Sequence, residues 1–164
     1  MSPATIVLMS DFGECNGTVS MVGVVKSVDP TLSVYTLTHE VPRFDVKTAS
    51  RLLSDQLSSW PKGTVFVCAV DPAVGTRQRV LAVETCDGYG IVAPDNGCIT
   101  DVERAHGLAA VRDLHELHTA YAASEQSGLY HGRNLAYCAA QLASGKTPFL
   151  DAGESILIEE LVRI

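Results

Sequence analysis

A chain of 164 residues fits one domain with a substantial core, and 46% apolar against 19% charged residues describe a folded protein, not a disordered one. The formal net charge of −7 argues against the clustered Lys and Arg of a nucleic-acid footprint. No apolar run approaches the ~20 residues that cross a bilayer, and the start, Met1-Ser-Pro-Ala-Thr5, has no basic stretch and reads as no signal peptide.

In chain order, Thr5 to Met9 is a short apolar strand that ends on Ser10-Asp11-Phe12-Gly13. Thr18 to Val28 is small and apolar, with Gly17 and Gly23, and predicts a tightly packed helix stopped before Asp29-Pro30. Ser33 to Thr38 alternates as a strand and runs into His39-Glu40-Val41-Pro42. Asp45 to Trp60 carries apolar residues at helical spacing, with Asp45 as N-cap and Pro61-Lys62-Gly63 as the stop. Thr64 to Val70 is apolar without alternation, the pattern of a strand covered on both faces. It ends on Asp71, and Pro72 and Gly75 forbid its continuation.

Two further β runs, Val80 to Thr85 and Tyr89 to Ala93, flank Cys86-Asp87-Gly88 and predict a hairpin that ends at Pro94-Asp95-Asn96-Gly97. Ile99 to Ala105 predicts a short helix, Ala109 to Leu114 is ambiguous but reads as a strand, and Thr119 to Gly128 reads as a loop. Tyr130 opens a helix through Leu142, closed by Ser144-Gly145-Lys146, and the tail from Phe149 shows no second core. The fold class is therefore α/β: three layers around a mostly parallel, Rossmann-like sheet with an antiparallel hairpin.

Parallel strands bring their carboxyl ends to one edge, where open α/β sheets bind ligands. Asp11, His39 with Glu40, Asp71, and Asp95 with Asn96 all fall at such ends. Asp71 reads equally as a site acid or as the cap of the next turn. His131 and Arg133 open a helix, where backbone N–H groups can hold an anion or a polar atom. An imidazole beside a carboxylate makes a base that works near neutral pH.

Other chemistry finds less support. His115 and His118 are three apart with no third ligand at zinc-site spacing, and read as a solvated surface pair; His106 reads as surface or helix end. The cysteines Cys15, Cys68, Cys86, Cys98 and Cys138 are odd in number without a CxxC pair, which suits buried thiols in a reducing cytoplasm. None sits in a nucleophile turn, and neither a G-x-G-x-x-G nor a G-x-x-x-x-G-K-[ST] loop occurs.

Five separated turns together carry a resemblance: Met9-Ser-Asp-Phe-Gly13, Thr38-His-Glu-Val41, Val70-Asp-Pro-Ala-Val-Gly-Thr76, Val92-Ala-Pro-Asp-Asn-Gly97 and Tyr130-His-Gly-Arg133. In order and spacing the chain resembles the N-terminal domain of the S-adenosyl-L-methionine (SAM) hydrolases, or SAM hydroxide adenosyltransferases, relatives of fluorinase and chlorinase. The resemblance implies hydrolysis of SAM to adenosine and L-methionine, with no metal or organic cofactor. By it, Asp71 and His131 are the catalytic pair, and Gln78 stands where the family has a third catalytic residue, an arginine. Asp11 matches the carboxylate that takes the ribose hydroxyls, with Phe12 and Gly132 beside the substrate. Phe44 and Tyr130 match aromatic wall positions, Asn16 and Thr18 contact the methionine end, and Asn96 lines the cleft.

The departures are Gln78, Asn16 in place of an aspartate that meets the substrate ammonium, and Asn134 in place of the aspartate of His-Gly-Arg-Asp. The family also has a second, smaller β-barrel domain that supplies much of the adenine site across a trimer interface, and these 164 residues do not include it. The resemblance thus implies a homotrimer whose barrel belongs to the same chain or to a separate one. It leaves two readings: a SAM hydrolase, or a SAM- or adenosine-binding or assembly subunit that kept the fold and lost turnover.

Overall fold

The computed structural model describes residues 4–14, 16–73, 78–122 and 129–164, with residues 16, 120–122, 129 and 130 as backbone alone. The first half alternates strand and helix: β1 (Thr5–Ser10), α1 (Asn16–Val28), β2 (Ser33–Thr38), α2 (Val46–Leu57) and β3 (Val65–Ala69). The second half runs β4 (Val80–Thr85), β5 (Gly90–Pro94), α3 (Thr100–His106), β6 (Leu108–Asp113), α4 (His115–Ala122), α5 (Leu129–Ala143) and the two-residue β7 (Glu154–Ser155). One sheet holds the strands in the order β2-β1-β3-β5-β4-β6-β7. The β2–β1, β1–β3 and β3–β5 pairs are parallel, whereas β4 runs antiparallel to both β5 and β6.

The apolar runs without alternation are explained by cover on both faces. Ile6 and Leu8 of β1 and Val67 of β3 pack with Met21 and Val25 of α1 and Leu135 and Ala139 of α5. Val7, Met9 and Phe66, one residue out of phase, meet Leu53 and Leu57 of α2 and Val102 of α3 on the other side. Because α1 and α2 lie on opposite faces, the chain turns back across the sheet between β1 and β3. That is the switch point, and the carboxyl ends of those two strands carry Asp11 and Asp71.

Local signals land where the residues direct. Asp45 caps α2, its Oδ1 accepting the Thr48 N–H at 3.0 Å. The β4–β5 hairpin turns at Gly88, whose φ of +97° is open to glycine at no steric cost. One expectation fails: residues 119–122 belong to α4, not to a loop. Asp113 Oδ1 accepts the His115 N–H at 3.0 Å and starts the helix. The rest of that expected loop, 123–128, lies outside the described residues.

The tail feeds the existing core layers, burying Ala152, Ile156 and Leu161 in them. It is pinned through Arg79, whose Nη2 donates to Asp95 Oδ2 at 2.6 Å and to the Glu160 carbonyl at 2.9 Å. Asp95 Oδ1 accepts the Val162 N–H at 2.9 Å. Among the described residues, no helix is long and apolar enough to cross a membrane.

Asp95 is 5% exposed, so Arg79→Ala leaves a buried carboxylate without its cation. The expected loss is about 2 kcal/mol in urea unfolding, below the usual figure for a buried pair because Arg79 itself reaches solvent. Asp95→Asn leaves only a solvent-reaching cation and should cost about half as much. Equal losses would mean that the burial of Asp95 does not set the scale.

Candidate active site

β3 and α5 deliver the central pair. Asp71 follows β3, and its Oδ1 accepts the Ala73 N–H at 2.8 Å, so the turn after the strand holds one carboxylate oxygen. Its Oδ2 lies 3.3 Å from Nε2 of His131 in the first turns of α5, and the two side chains are 2% and 11% exposed. The two atoms are within ion-pair reach but off the line that a hydrogen bond needs, so the buried Nε2 has no hydrogen-bond partner among the described residues. Burial pushes the His131 imidazole below its ordinary pKa of 6.5, while the Asp71 and Asp11 carboxylates pull the other way without winning. At neutral pH the ring is uncharged and can accept a proton.

Asp11 is oriented from β1 and from the loop before α2. Its Oδ2 accepts the Phe44 N–H at 2.7 Å. Phe44 makes that bond from a left-handed backbone, φ +64°, a conformation that costs a non-glycine residue on the order of 1 kcal/mol or more. Its ring is half exposed at the rim, with the Arg43 guanidinium 4.8 Å above it. Phe12 connects Asp11 to α5. A Cβ on Gly132 would stand 2.6 Å from the Phe12 ring and 3.0 Å from Met21 Sδ, so only glycine admits that ring beside His131.

The remaining candidates sort by what already holds them. His39 Nδ1 pairs with the buried Ser10 hydroxyl at 2.7 Å, and its carbonyl accepts the Gly13 N–H at 2.7 Å; it fastens the β1 and β2 ends and is lowered in pKa by burial. Asn96 Nδ2 donates to the Val70 carbonyl at 2.8 Å, bracing the residue before Asp71. Gln78 Nε2 donates to the Asp95 carbonyl at 2.8 Å, and its buried Oε1 has no hydrogen-bond partner among the described residues. Thr18 is buried in the first turn of α1. Asn16 opens α1 and Tyr130 lies in α5, but their side chains fall outside the description, as do Cys15 and residues 74–77 with Arg77.

Two histidines are set by their surroundings. His106 stands at the end of α3, as one of its two readings has it, but not in solvent: it bonds Asp87 Oδ2 at 2.8 Å and the Ser54 carbonyl at 3.0 Å, with its side chain 10% exposed. Burial alone would lower its pKa; those two partners raise it. His118 is not a solvated partner of the exposed His115. It is half-buried, with its ring 6.1 Å from that of His131 at 66°. Burial, with smaller contributions from His131 and His115, pushes its pKa down to about 4. The signal was available, because Leu114, Leu117 and His118 recur at helical spacing.

A cleft of about 570 Å³ between α2 and α3, lined by Lys47, Arg51, Asp55, Asp101 and Arg104, is separate from this pair. So is one of about 400 Å³ beside Asp113, Glu116, Asp151 and Glu154.

A doubly wound α/β sheet with acids and an imidazole gathered at its switch point defines the class: α/β proteins of the kind whose ligands bind at the carboxyl ends of the strands, which makes this edge the candidate site. Residues 6–152 match the SAM hydroxide adenosyltransferase N-terminal domain, and the chain belongs to that family. It is 36% identical over 162 residues to the (R)-S-adenosyl-L-methionine hydrolase of Salinispora tropica, covering 97% of this chain and 60% of that protein. It is 27% identical over 181 residues to the fluorinase of an Actinoplanes species, covering 96% and 60% respectively. Among solved structures, an uncharacterized conserved protein from Thermotoga maritima superposes with a TM-score of 0.88 at 31% identity, over 97% of this chain and 60% of that one. The chain thus spans about 60% of the length of these relatives.

The geometry fixes a sign. In an NMR titration, His131 should charge below pH 6.5, since burial disfavours its cation. Asp71→Asn removes a carboxylate that favours the cation, so the midpoint should fall further. A rise in that variant would show that the two groups do not face each other.

Proposed function

We propose that this chain carries the water-activating site of a SAM hydrolase, which releases adenosine and L-methionine. The observation that carries the reading is the buried His131 Nε2 3.3 Å from Asp71 Oδ2 at the sheet's switch point, where burial lowers the imidazole's pKa. The sulfonium of SAM is already a cationic leaving group, so no acid is needed to release it. What remains is to hold one water in line behind C5′, away from bulk solvent, and to take its proton. The water oxygen bonds C5′, the C5′–S bond breaks, and its electron pair stays on sulfur as the neutral thioether of methionine. His131 takes the proton, and Asp71 stabilises the imidazolium that forms.

Asp11 suits the ribose hydroxyls, because a carboxylate accepts from two donors at once and the Phe44 N–H fixes its orientation. By the family match, Phe12, Phe44 and Tyr130 are assigned to the wall, and Asn16 and Thr18 to the methionine end. Gln78 supplies no charge where the family arginine would. The adenine side is assigned to the family's barrel domain in a trimer, on this chain or a separate one. A reducing cytoplasm suits Cys68, Cys86, Cys98 and Cys138, which are free thiols. A second reading, a subunit that binds SAM or adenosine without turnover, draws on Gln78, whose amide is held by the Asp95 carbonyl.

Incubation with SAM, followed by chromatography of adenosine and methionine, separates the two. Product that disappears in Asp71→Asn and His131→Ala supports the hydrolase. Binding by calorimetry without product supports the second reading. His131→Ala should lower kcat by about 10²-fold or more, and Asp11→Ala should chiefly raise KM. Activity should persist below pH 6.5 and fall as acid protonates His131.

Gln78→Arg, which puts the family's arginine back at this position, should raise kcat. An unchanged rate in that variant would mean that Gln78 is no loss.

A further inference from the structure

The mechanism leaves His118 and Asn134 unused, yet the first faces the base and the second touches the first. His118 presents its ring at 66° to His131, with centroids 6.1 Å apart. Asn134 lies three residues after His131, hence on the same face of α5, and is 6% exposed. Its Nδ2 reaches His118 Nε2 at 3.5 Å, and His118 in turn is set by its own N–H donating to the Leu114 carbonyl at 2.8 Å. The main-chain bond fixes only where His118 stands on α4; its ring lies between the Asn134 amide and the His131 imidazole.

We propose that His118 is a positioning residue for His131: held by Asn134, its ring covers the base, keeps bulk water from it and fixes its aim at Asp71. The inference rests on the reading of His131 as the base. The charged and titratable groups that bear on His131 are Asp71 after β3, Asp11 after β1, and His118 with His115 behind it on α4. Three carboxylate or imidazole neighbours would pull a solvated His131 toward mixed protonation, and cover is what keeps it a neutral acceptor. An asparagine at 134 fits this role better than an aspartate, because a carboxylate there would draw a proton onto His118 and set a cation beside the base.

The test compares wild type, His118→Ala and His118→Phe by NMR titration of His131 and by SAM kinetics. Alanine opens the ring to water, so the His131 midpoint should rise toward 6.5, kcat should fall about tenfold and KM should hold within about twofold. Phenylalanine keeps the cover without a titrating group and should restore both. An unmoved midpoint in His118→Ala, or a phenylalanine variant no better than alanine, overturns the proposal. Should the alanine variant not fold, Asn134→Asp decides: the His118 midpoint should rise above its value near 4, and no rise would overturn the contact. Absence of SAM turnover by wild type would count against the hydrolase reading alone, since the titrations need no substrate.

Discussion

A carboxylate that is almost wholly withdrawn from water governs this molecule's working edge. Asp71 stands 3% exposed at the end of a strand buried on both faces. Burying such a group costs several kcal/mol unless donors or cations repay it. Here one oxygen takes the Ala73 N–H and the other faces His131. The neighbouring imidazole is itself pushed toward neutrality by burial, so the pair is held one proton short of a full ion pair. That is the arrangement the proposed proton acceptor needs.

The histidines show how one side chain takes different roles by surroundings. His39 is a fastener between strand ends, bonded to a fully buried hydroxyl. His106 is a tie between the β4–β5 turn and α2, and its partners favour the charged form. His131 and His118 lean on each other in a poorly solvated layer, where charge is disfavoured. Desolvation acts on all four; what separates them is whether an acceptor stands close enough to offset it.

The strands, the α2 cap at Asp45 and the Asp87-Gly88 turn were legible because each is encoded locally, by apolar run length, a capping side chain or a glycine. Asp11, Asp71 and His131 were legible as a group because parallel strands align their ends and a helix N-terminus adjoins them. Loop readings did worse. Residues 119–122, Thr-Ala-Tyr-Ala, carry no distinct helical signal in isolation, yet they continue the helix that Asp113 starts. His118 reads as solvated when taken as half of a surface pair with His115, although its spacing from Leu114 and Leu117 puts it on an apolar helical stripe. The pairing of Arg79 with Asp95 likewise needed the sheet register, which only antiparallel pairing of β4 with β5 supplies.

Phe44 divides its contribution between two chemical groups. The amide, not the ring, aims the Asp11 carboxylate, while the ring sits half in solvent under the Arg43 cation. Evolution can therefore vary the aromatic plate at this rim without disturbing the acid behind it, provided the position never becomes proline, which has no N–H and cannot adopt a positive φ. Glycine would relieve the backbone tension and still leave the acid aimed, so the ring in front and the carboxylate behind it are free to drift independently.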